Sequence, residues 1–200
     1  PFVNSTAGSA NKMSKSIADD ATLNSKVLKF QRSDKNNGYA FSRFDFSDLM
    51  DNASAVTVEF DFYVSQGAGH NVISLADADY HYDSTGGFNT GTSNTGYGAT
   101  GAVFNFGCFR ANSNNYWGVN SVQGSSATGL NAWYHAKVEV NLTSKKVTYK
   151  ITDVSNSESV LAQGSDISFM NGSAQTCSQI DVYLGGVGTD NYALIDNLTI

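Results

Sequence analysis

The feature that most constrains the fold is a strict alternation of apolar and polar residues within residues 131–152. A period of two is typical of β-strands, because successive side chains on a strand point to opposite faces. Short polar residues at 141–144 separate the two alternating runs, which predicts an antiparallel hairpin closed by a polar turn. Since one face of this hairpin is apolar, it must be covered by a second layer. The apolar positions are Tyr134, Ala136, Val138, Val140, Val147, Tyr149 and Ile151.

The rest of the chain also favours strands. Residues 55–64 (AVTVEFDFYV) alternate in the same way and predict a central strand with a polar outer face. We expect residues 1–25 to be irregular apart from an edge strand at residues 2–3, one helical turn at 47–51, and a long loop at 77–100. No segment has the periodicity of an amphipathic helix. The sequence therefore predicts an all-β protein, an antiparallel β-sandwich of the jelly-roll type, as a single domain over residues 1–200. Further strands are expected at 26–30, 38–46, 71–76, 101–110, 115–119, 159–163, 179–185 and 192–200.

Composition excludes several classes of partner. The net charge is −6 and only 15% of the residues are charged, without a basic cluster, so no nucleic-acid partner is expected. No apolar run is long enough to span a bilayer, and no membrane association is expected. Cys108 and Cys177 lack the spacing of a zinc site, and a disulfide and two free buried thiols both remain open.

Three framework segments resemble a known family. Residues 58–63 (VEFDFY), 132–138 (AWYHAKV) and 194–200 (LIDNLTI) are similar to those of concanavalin A-like, laminin-G-type jelly rolls, in particular the carbohydrate-binding modules of secreted bacterial enzymes that degrade plant polysaccharides. The resemblance implies a polysaccharide ligand, a catalytic domain in the same parent chain, and secretion from a bacterium. It also implies one structural calcium ion near the termini, with Asp196 in the position of a ligand.

Carbohydrate recognition requires aromatic faces for the apolar side of a sugar ring and hydrogen-bonding groups for its hydroxyls. Loop and strand-end residues supply both, and Trp117 is the first choice for a stacking platform. An alternative is a polar surface on a sheet face, and the sequence does not choose between the two. The predicted loop site comprises Tyr80, Tyr82, Tyr97, Arg110, Tyr116 and Trp117. The sheet-face alternative comprises Arg43, Asp61, Lys137, Glu139 and Tyr183.

No catalytic residues are predicted. Glu59 and Asp61 share one strand face, as the paired acids of retaining glycosidases do, but the next residue on that face is Tyr63 rather than a third acid. His81 or Tyr82 as the base, together with Arg110 as the cation, is a weak match to the site of a polysaccharide lyase. The leading hypothesis is therefore a non-catalytic module. A lyase or glycosidase of the same fold and an extracellular protein-adhesion module are the alternatives.

The identity of the glycan stays open at this level. The residues do not distinguish a pectic backbone, a galactan, a xylan, a mannan or a β-glucan. The overall acidity slightly disfavours a highly charged polyuronate in the absence of calcium.

Overall fold

A computed structural model describes residues 3–4, 13–32, 38–50, 53–65, 71–77, 102–111, 114–120, 122–123, 129–186 and 191–200. These residues form fourteen strands and one short 3₁₀ helix at Ser47–Leu49. The strands are β1 (Val3–Asn4), β2 (Met13–Asp20), β3 (Ser25–Arg32), β4 (Gly38–Asp45), β5 (Ala55–Val64), β6 (Asn71–Ala76), β7 (Ala102–Ala111), β8 (Asn114–Val119), β9 (Val122–Gln123), β10 (Trp133–Asn141), β11 (Lys146–Asp153), β12 (Asn156–Ser168), β13 (Gln179–Gly186) and β14 (Tyr192–Thr199).

The described strands form two sheets. Sheet A has the order β1-β4-β13-β6-β7-β8-β9, and sheet B has the order β12-β11-β10-β5-β14-β3-β2. The pairing is antiparallel in both sheets. The predicted antiparallel β-sandwich is confirmed.

Aromatic residues from both sheets meet in the core between them. Phe60 and Phe62 of β5 face inward from sheet B, and Phe104 and Phe106 of β7 face inward from sheet A; all four are fully buried. The ring centroids of Phe62 and Phe106 are 4.9 Å apart. Burying a phenylalanine side chain contributes about 1.5–3 kcal/mol, so this contact between the sheets is a major source of stability.

The two most strongly alternating segments lie where the sequence predicts. Residues 55–64 form β5 in the middle of sheet B, and the predicted hairpin is β10 and β11, with β10 next to β5. The turn is held by its first residue, since the backbone N–H of Ser144 donates to Oδ1 of Asn141 at 2.9 Å. This rigid block of three strands positions the outward-facing side chains described below.

One sequence-based expectation about strands is wrong, and one predicted strand is longer than expected. Residues 13–20, expected to be irregular, form β2, which pairs with β3 over eight residue pairs. The strand expected at 159–163 extends over the whole of β12. The expected edge strand near the N-terminus (β1) and the helical turn are confirmed.

Cys108 and Cys177 are both buried and are not joined to each other by a disulfide. Burial raises the pKa of Cys177 to about 12, so this thiol stays protonated at neutral pH. No helix in the described part of the chain is long and apolar enough to cross a membrane.

Candidate functional site

A ladder of charged side chains lies on the outer face of sheet B, the face that points away from sheet A. Because side chains alternate along β5, Glu59 and Asp61 point outward while Phe60 and Phe62 enter the core. In the register between β5 and β10, Asp61 lies opposite His135 and Glu59 lies opposite Lys137. Acids of one strand therefore face basic residues of the next.

Both carboxylate oxygens of Asp61 are occupied. Oδ1 lies 2.8 Å from Nδ1 of His135, and Oδ2 accepts a hydrogen bond from Nδ2 of Asn197 at 2.7 Å. Asn197 reaches this position because β14 is irregular between Asp196 and Thr199, where Asn197 has a φ of 51°. The Asp61 residue is 8% exposed, so these two contacts replace most of its hydration.

Glu59 is held by Lys137. The Lys137 ammonium lies 3.1 Å from Glu59 Oε1 and 3.5 Å from Glu139 Oε1. The hydrogen bond from Lys137 to Glu59, the charge of Glu59 and the equivalent interactions with Glu139 raise the pKa of Lys137. His135 lies between the two acids of β5, with Nε2 at 3.9 Å from Glu59 Oε2.

This geometry supports a structural network rather than a pair of glycosidase acids. A retaining glycosidase requires one carboxylate that is free to attack the sugar and a second carboxyl group that donates a proton. Both oxygens of Asp61 are hydrogen-bonded, and Glu59 is paired with a lysine.

We expect the Asp61→Ala variant to lose about 1–2 kcal/mol in its free energy of unfolding, because it removes the hydrogen bonds that His135 and Asn197 make to a buried carboxylate. Urea denaturation monitored by fluorescence measures this change. Asp19→Ala is the matched control, since Asp19 forms an exposed ion pair with Lys26 at 2.7 Å, and it should change stability by less than about 1 kcal/mol. Equal effects of the two substitutions would contradict the network.

An aromatic row crosses the same face at one end of the ladder. The rings of Tyr63 and Tyr192 are stacked with centroids 5.5 Å apart and planes at 7°. Trp133 packs beside Tyr63 at 6.0 Å, and the Lys29 ammonium lies 4.9 Å from the centre of the Tyr192 ring. Burial, followed by the hydrogen bond between the Tyr63 and Tyr192 hydroxyls at 3.4 Å, raises the pKa of Tyr63.

An open groove lies on the other side of the ladder, across β10, β11 and β12. It has a volume of about 530 Å³, and a smaller groove of about 330 Å³ shares Glu139 and Thr148 with it. Their polar lining follows from the strand register, in which Lys137 lies opposite Lys150 and Lys150 lies opposite Gln163. The larger groove is lined by Lys137, Glu139, Thr148, Tyr149, Lys150, Gln163, Gly164 and Ser165.

Irregular pairing of β12 contributes to the shape of this groove. The register between β11 and β12 shifts at several points, one of them between Val147 and Tyr149. Gly164 lies opposite Tyr149, and a Cβ at Gly164 would be only 2.8 Å from Cε1 of the Tyr149 ring. Glycine at this position therefore lets the tyrosine ring pack against the bent edge strand.

The prediction of Trp117 as a stacking platform is wrong. Trp117 is 6% exposed and lies in the core, where its ring stacks on Phe62 at 5.9 Å. In the register between β7 and β8 it lies opposite Cys108, which also faces inward. A sugar ring has no access to its faces.

The other residues of the predicted loop site are not brought together by the described structure. Arg110 lies on β7 and Tyr116 on the neighbouring β8, but their side chains are outside the described part of the chain. Tyr80, Tyr82 and Tyr97 lie outside the described residues altogether. Their roles in sugar binding stay predictions.

Asp196 was the predicted metal ligand. Its Oδ2 accepts a hydrogen bond from the Ser25 hydroxyl at 2.7 Å, and it lies opposite Asp61 in the register between β14 and β5. Among the described residues, no group of three or more His, Cys, Asp or Glu side chains is arranged to hold a metal ion. Calcium binding at Asp196 stays a prediction.

The alternative sheet-face surface is correct only in part. Asp61, Lys137 and Glu139 share the outer face of sheet B, but Arg43 and Tyr183 lie on β4 and β13 of sheet A. Arg43 donates to the carboxylate of Asp181 from Nε at 2.9 Å, and burial raises the pKa of Asp181 to about 7 although Arg43 opposes this shift. The five residues therefore belong to two different surfaces.

Sequence reasoning missed the part of the groove that β11 and β12 provide. Thr148 and Lys150 are polar positions of the predicted hairpin, so the alternation predicts that their side chains point outward. Gln163 could not be placed in the same way, because the register shifts between β11 and β12 are not encoded in a simple alternation.

No protein-family model and no curated protein matches the sequence. Among solved structures, the chain is similar to the Lotus tetragonolobus seed lectin, with 10% identity, a TM-score of 0.49, and coverage of 100% of this chain and 94% of that one. It is similar to peanut lectin with a nine-residue peptide (12% identity, TM-score 0.46, coverage 100% and 97%). It is also similar to the SPRY domain of human HERC1 (7% identity, TM-score 0.45, coverage 96% and 98%). A likeness at this level carries no information about the ligand of this chain.

Proposed function

We propose that this chain is a non-catalytic carbohydrate-binding module that binds a polysaccharide on the outer face of sheet B. The observation that carries the proposal is the open polar groove on the same face as the partly exposed, stacked rings of Tyr63 and Tyr192. Glycans expose both hydroxyl groups and apolar ring faces, so a surface that offers hydrogen-bonding and aromatic side chains suits them.

The rigidity of the surface supports this function. The groove side chains Lys137 and Glu139 are fixed to β10, which is paired along its whole length with β5 and β11. Lys137 forms ionic contacts with Glu139 and with Glu59, and these contacts restrict the conformations of the groove side chains before a ligand binds. Side chains that are already ordered lose less conformational entropy on binding, which favours recognition of a flexible polysaccharide.

We further propose that the module is secreted and attached to an enzyme that degrades plant cell-wall polysaccharide. Its contribution would be proximity, because even weak binding raises the effective concentration of a linked catalytic domain at its substrate. The resemblance of the framework segments to such modules supports this extension.

Affinity gel electrophoresis tests the proposed function. The chain is run through gels that contain pectin, galactan, xylan, mannan or β-glucan, with calcium and with a chelator, and each glycan that retards it is assayed for released sugars. Retardation without product is the expected result. Product release from any glycan would contradict the non-catalytic assignment, and mobility unchanged by every glycan would contradict carbohydrate binding.

The Gln163→Ala variant locates the binding surface. It removes an exposed amide from the groove, and we expect the affinity for the retained glycan to fall about fivefold, which corresponds to one lost hydrogen bond. Gln175→Ala is the matched control, because Gln175 is also exposed but lines neither groove on sheet B. Equal affinities of the two variants would place binding elsewhere on the molecule.

A further inference from the structure

The larger groove contains two lysines that face each other. Lys137 on β10 and Lys150 on β11 are direct cross-strand partners on the outer face of sheet B. Like charges directly opposite each other are unfavourable in a sheet, and an anion nearby relieves their repulsion. The described structure provides anions for only one of them.

Lys137 has two acidic partners, Glu59 and Glu139, within ion-pair distance. Lys150 is exposed, and its side chain has no ion-pair or hydrogen-bond partner within the described ranges. Its other cross-strand neighbour is Gln163, whose amide is neutral. Other lysines of the described residues do contact an acid, a carbonyl, a hydroxyl or an aromatic ring, among them Lys26, Lys29, Lys137, Lys145 and Lys146.

The groove therefore offers an unpaired cation beside an amide, with an acid on its other side. A carboxylate can accept hydrogen bonds from Lys150 and from the Gln163 amide, and sugar hydroxyls can donate to Glu139. Because Glu139 would repel a dense polyanion, the arrangement suits a single carboxylate on a ligand that is otherwise rich in hydroxyls.

We infer that the groove binds a uronic acid residue within a glycan chain, with Lys150 contacting its carboxylate. This inference rests on the proposed carbohydrate-binding function and adds the ligand class. The local charge of the groove, rather than the net charge of −6 for the whole chain, decides the preference, because at ordinary salt the charges elsewhere on the surface are largely screened.

The test compares polymers that differ only in their carboxylates. Polygalacturonate and glucuronoxylan are each used beside the same polymer with its carboxyl groups reduced to alcohols, in chelator, so that calcium cannot bridge the protein and the glycan. We expect native glucuronoxylan, whose carboxylates are sparse, to bind about tenfold more tightly than its reduced form, the change expected for one charge-assisted hydrogen bond. Polygalacturonate should show a smaller preference, because Glu139 repels its dense carboxylates. The preference should weaken as salt rises from about 20 mM to about 500 mM.

The Lys150→Gln variant assigns the preference to one residue. We expect it to bind native and reduced polymers equally, while Lys26→Gln, which removes the same charge from an exposed lysine outside this groove, retains the preference. Thermal unfolding of both variants shows that each is folded.

The outcomes separate the inference from the proposed function. Equal binding of native and reduced polymers by the unmodified chain, or retention of neutral glycans alone, would overturn the uronate inference and leave carbohydrate binding intact. A preference that persists in Lys150→Gln would overturn the role of Lys150. Failure to bind any acidic, reduced or neutral glycan would overturn both proposals.

Discussion

Replacing Trp117 with alanine is expected to lower the free energy of unfolding by about 3–5 kcal/mol, the range for deleting a large buried aromatic side chain. Trp117 is 6% exposed and contacts rings from both sheets, with centroid distances of 5.9 Å to Phe62, 6.0 Å to Phe106 and 6.4 Å to Tyr134. Gly129 covers the indole closely, since a Cβ there would lie 3.0 Å from its Cδ2 atom. Alanine would leave a cavity that these neighbours fill only in part.

Urea denaturation of the variant measures this loss, and Trp117→Phe is the control. Among the described residues the buried indole Nε1 has no hydrogen-bond partner, so phenylalanine removes volume but breaks no hydrogen bond seen there. It should cost only about 1–2 kcal/mol. If Trp117→Ala instead retained full stability and lost glycan binding, the indole would be a binding platform and its position in the core would be wrong.

The strands that could be predicted are those whose two faces have different surroundings. β5 and the β10–β11 hairpin have one face in the core and one face in solvent, so their apolar residues alternate. β2 lies at the edge of sheet B, where Ile17 is 64% exposed and most other residues are polar, so no alternation identifies it. Edge strands need little apolar surface, and their pairing cannot be read from local pattern.

The assignment of strands to the two sheets could not be predicted from the sequence, for a different reason. β3 and β4 follow each other in the chain, as the strands of a hairpin would, yet they belong to different sheets. Which sheet a strand joins depends on contacts with distant segments: β3 pairs with β14, and β4 pairs with β13. Local alternation contains no information about these partners.

The difference between local alternation and long-range strand pairing also explains which parts of the candidate site could be predicted. The outward direction of Lys137 and Lys150 follows from hairpin alternation. Which of the two lysines has an acidic partner depends on β5, which is far away in sequence and lies beside β10 rather than β11. Trp117 lies among asparagines and suggested an exposed loop, whereas its register opposite Cys108 directs it into the core. Composition indicated the kind of chemistry, and long-range register decided which residues supply it.

Gly107→Ala is expected to lower the free energy of unfolding by about 3–5 kcal/mol, since backbone strain and steric overlap each cost about 1–3 kcal/mol. Gly107 lies within β7 between β6 and β8, with a φ of 141° that L-residues rarely adopt. A Cβ at this position would overlap the carbonyl oxygen of Asn71 and lie 3.1 Å from the Cα atom of Val72. Both obstacles are backbone atoms of a paired strand, so they cannot move aside without disrupting sheet A.

Gly172→Ala is the matched control for this substitution. A Cβ at Gly172 would have no atom within 4 Å, and the Gly172 carbonyl that accepts a hydrogen bond from Lys145 is retained, so stability should change by less than about 0.5 kcal/mol. Thermal and urea unfolding of the two variants compare their stabilities directly.

If Gly107→Ala were as stable as Gly172→Ala, β7 would have ordinary strand geometry at residue 107. The register that places Gly107 opposite Val72 and Gly118 would then have to be revised. The inward position of Trp117, which depends on the same pairing of β7 with β8, would then lose its structural basis.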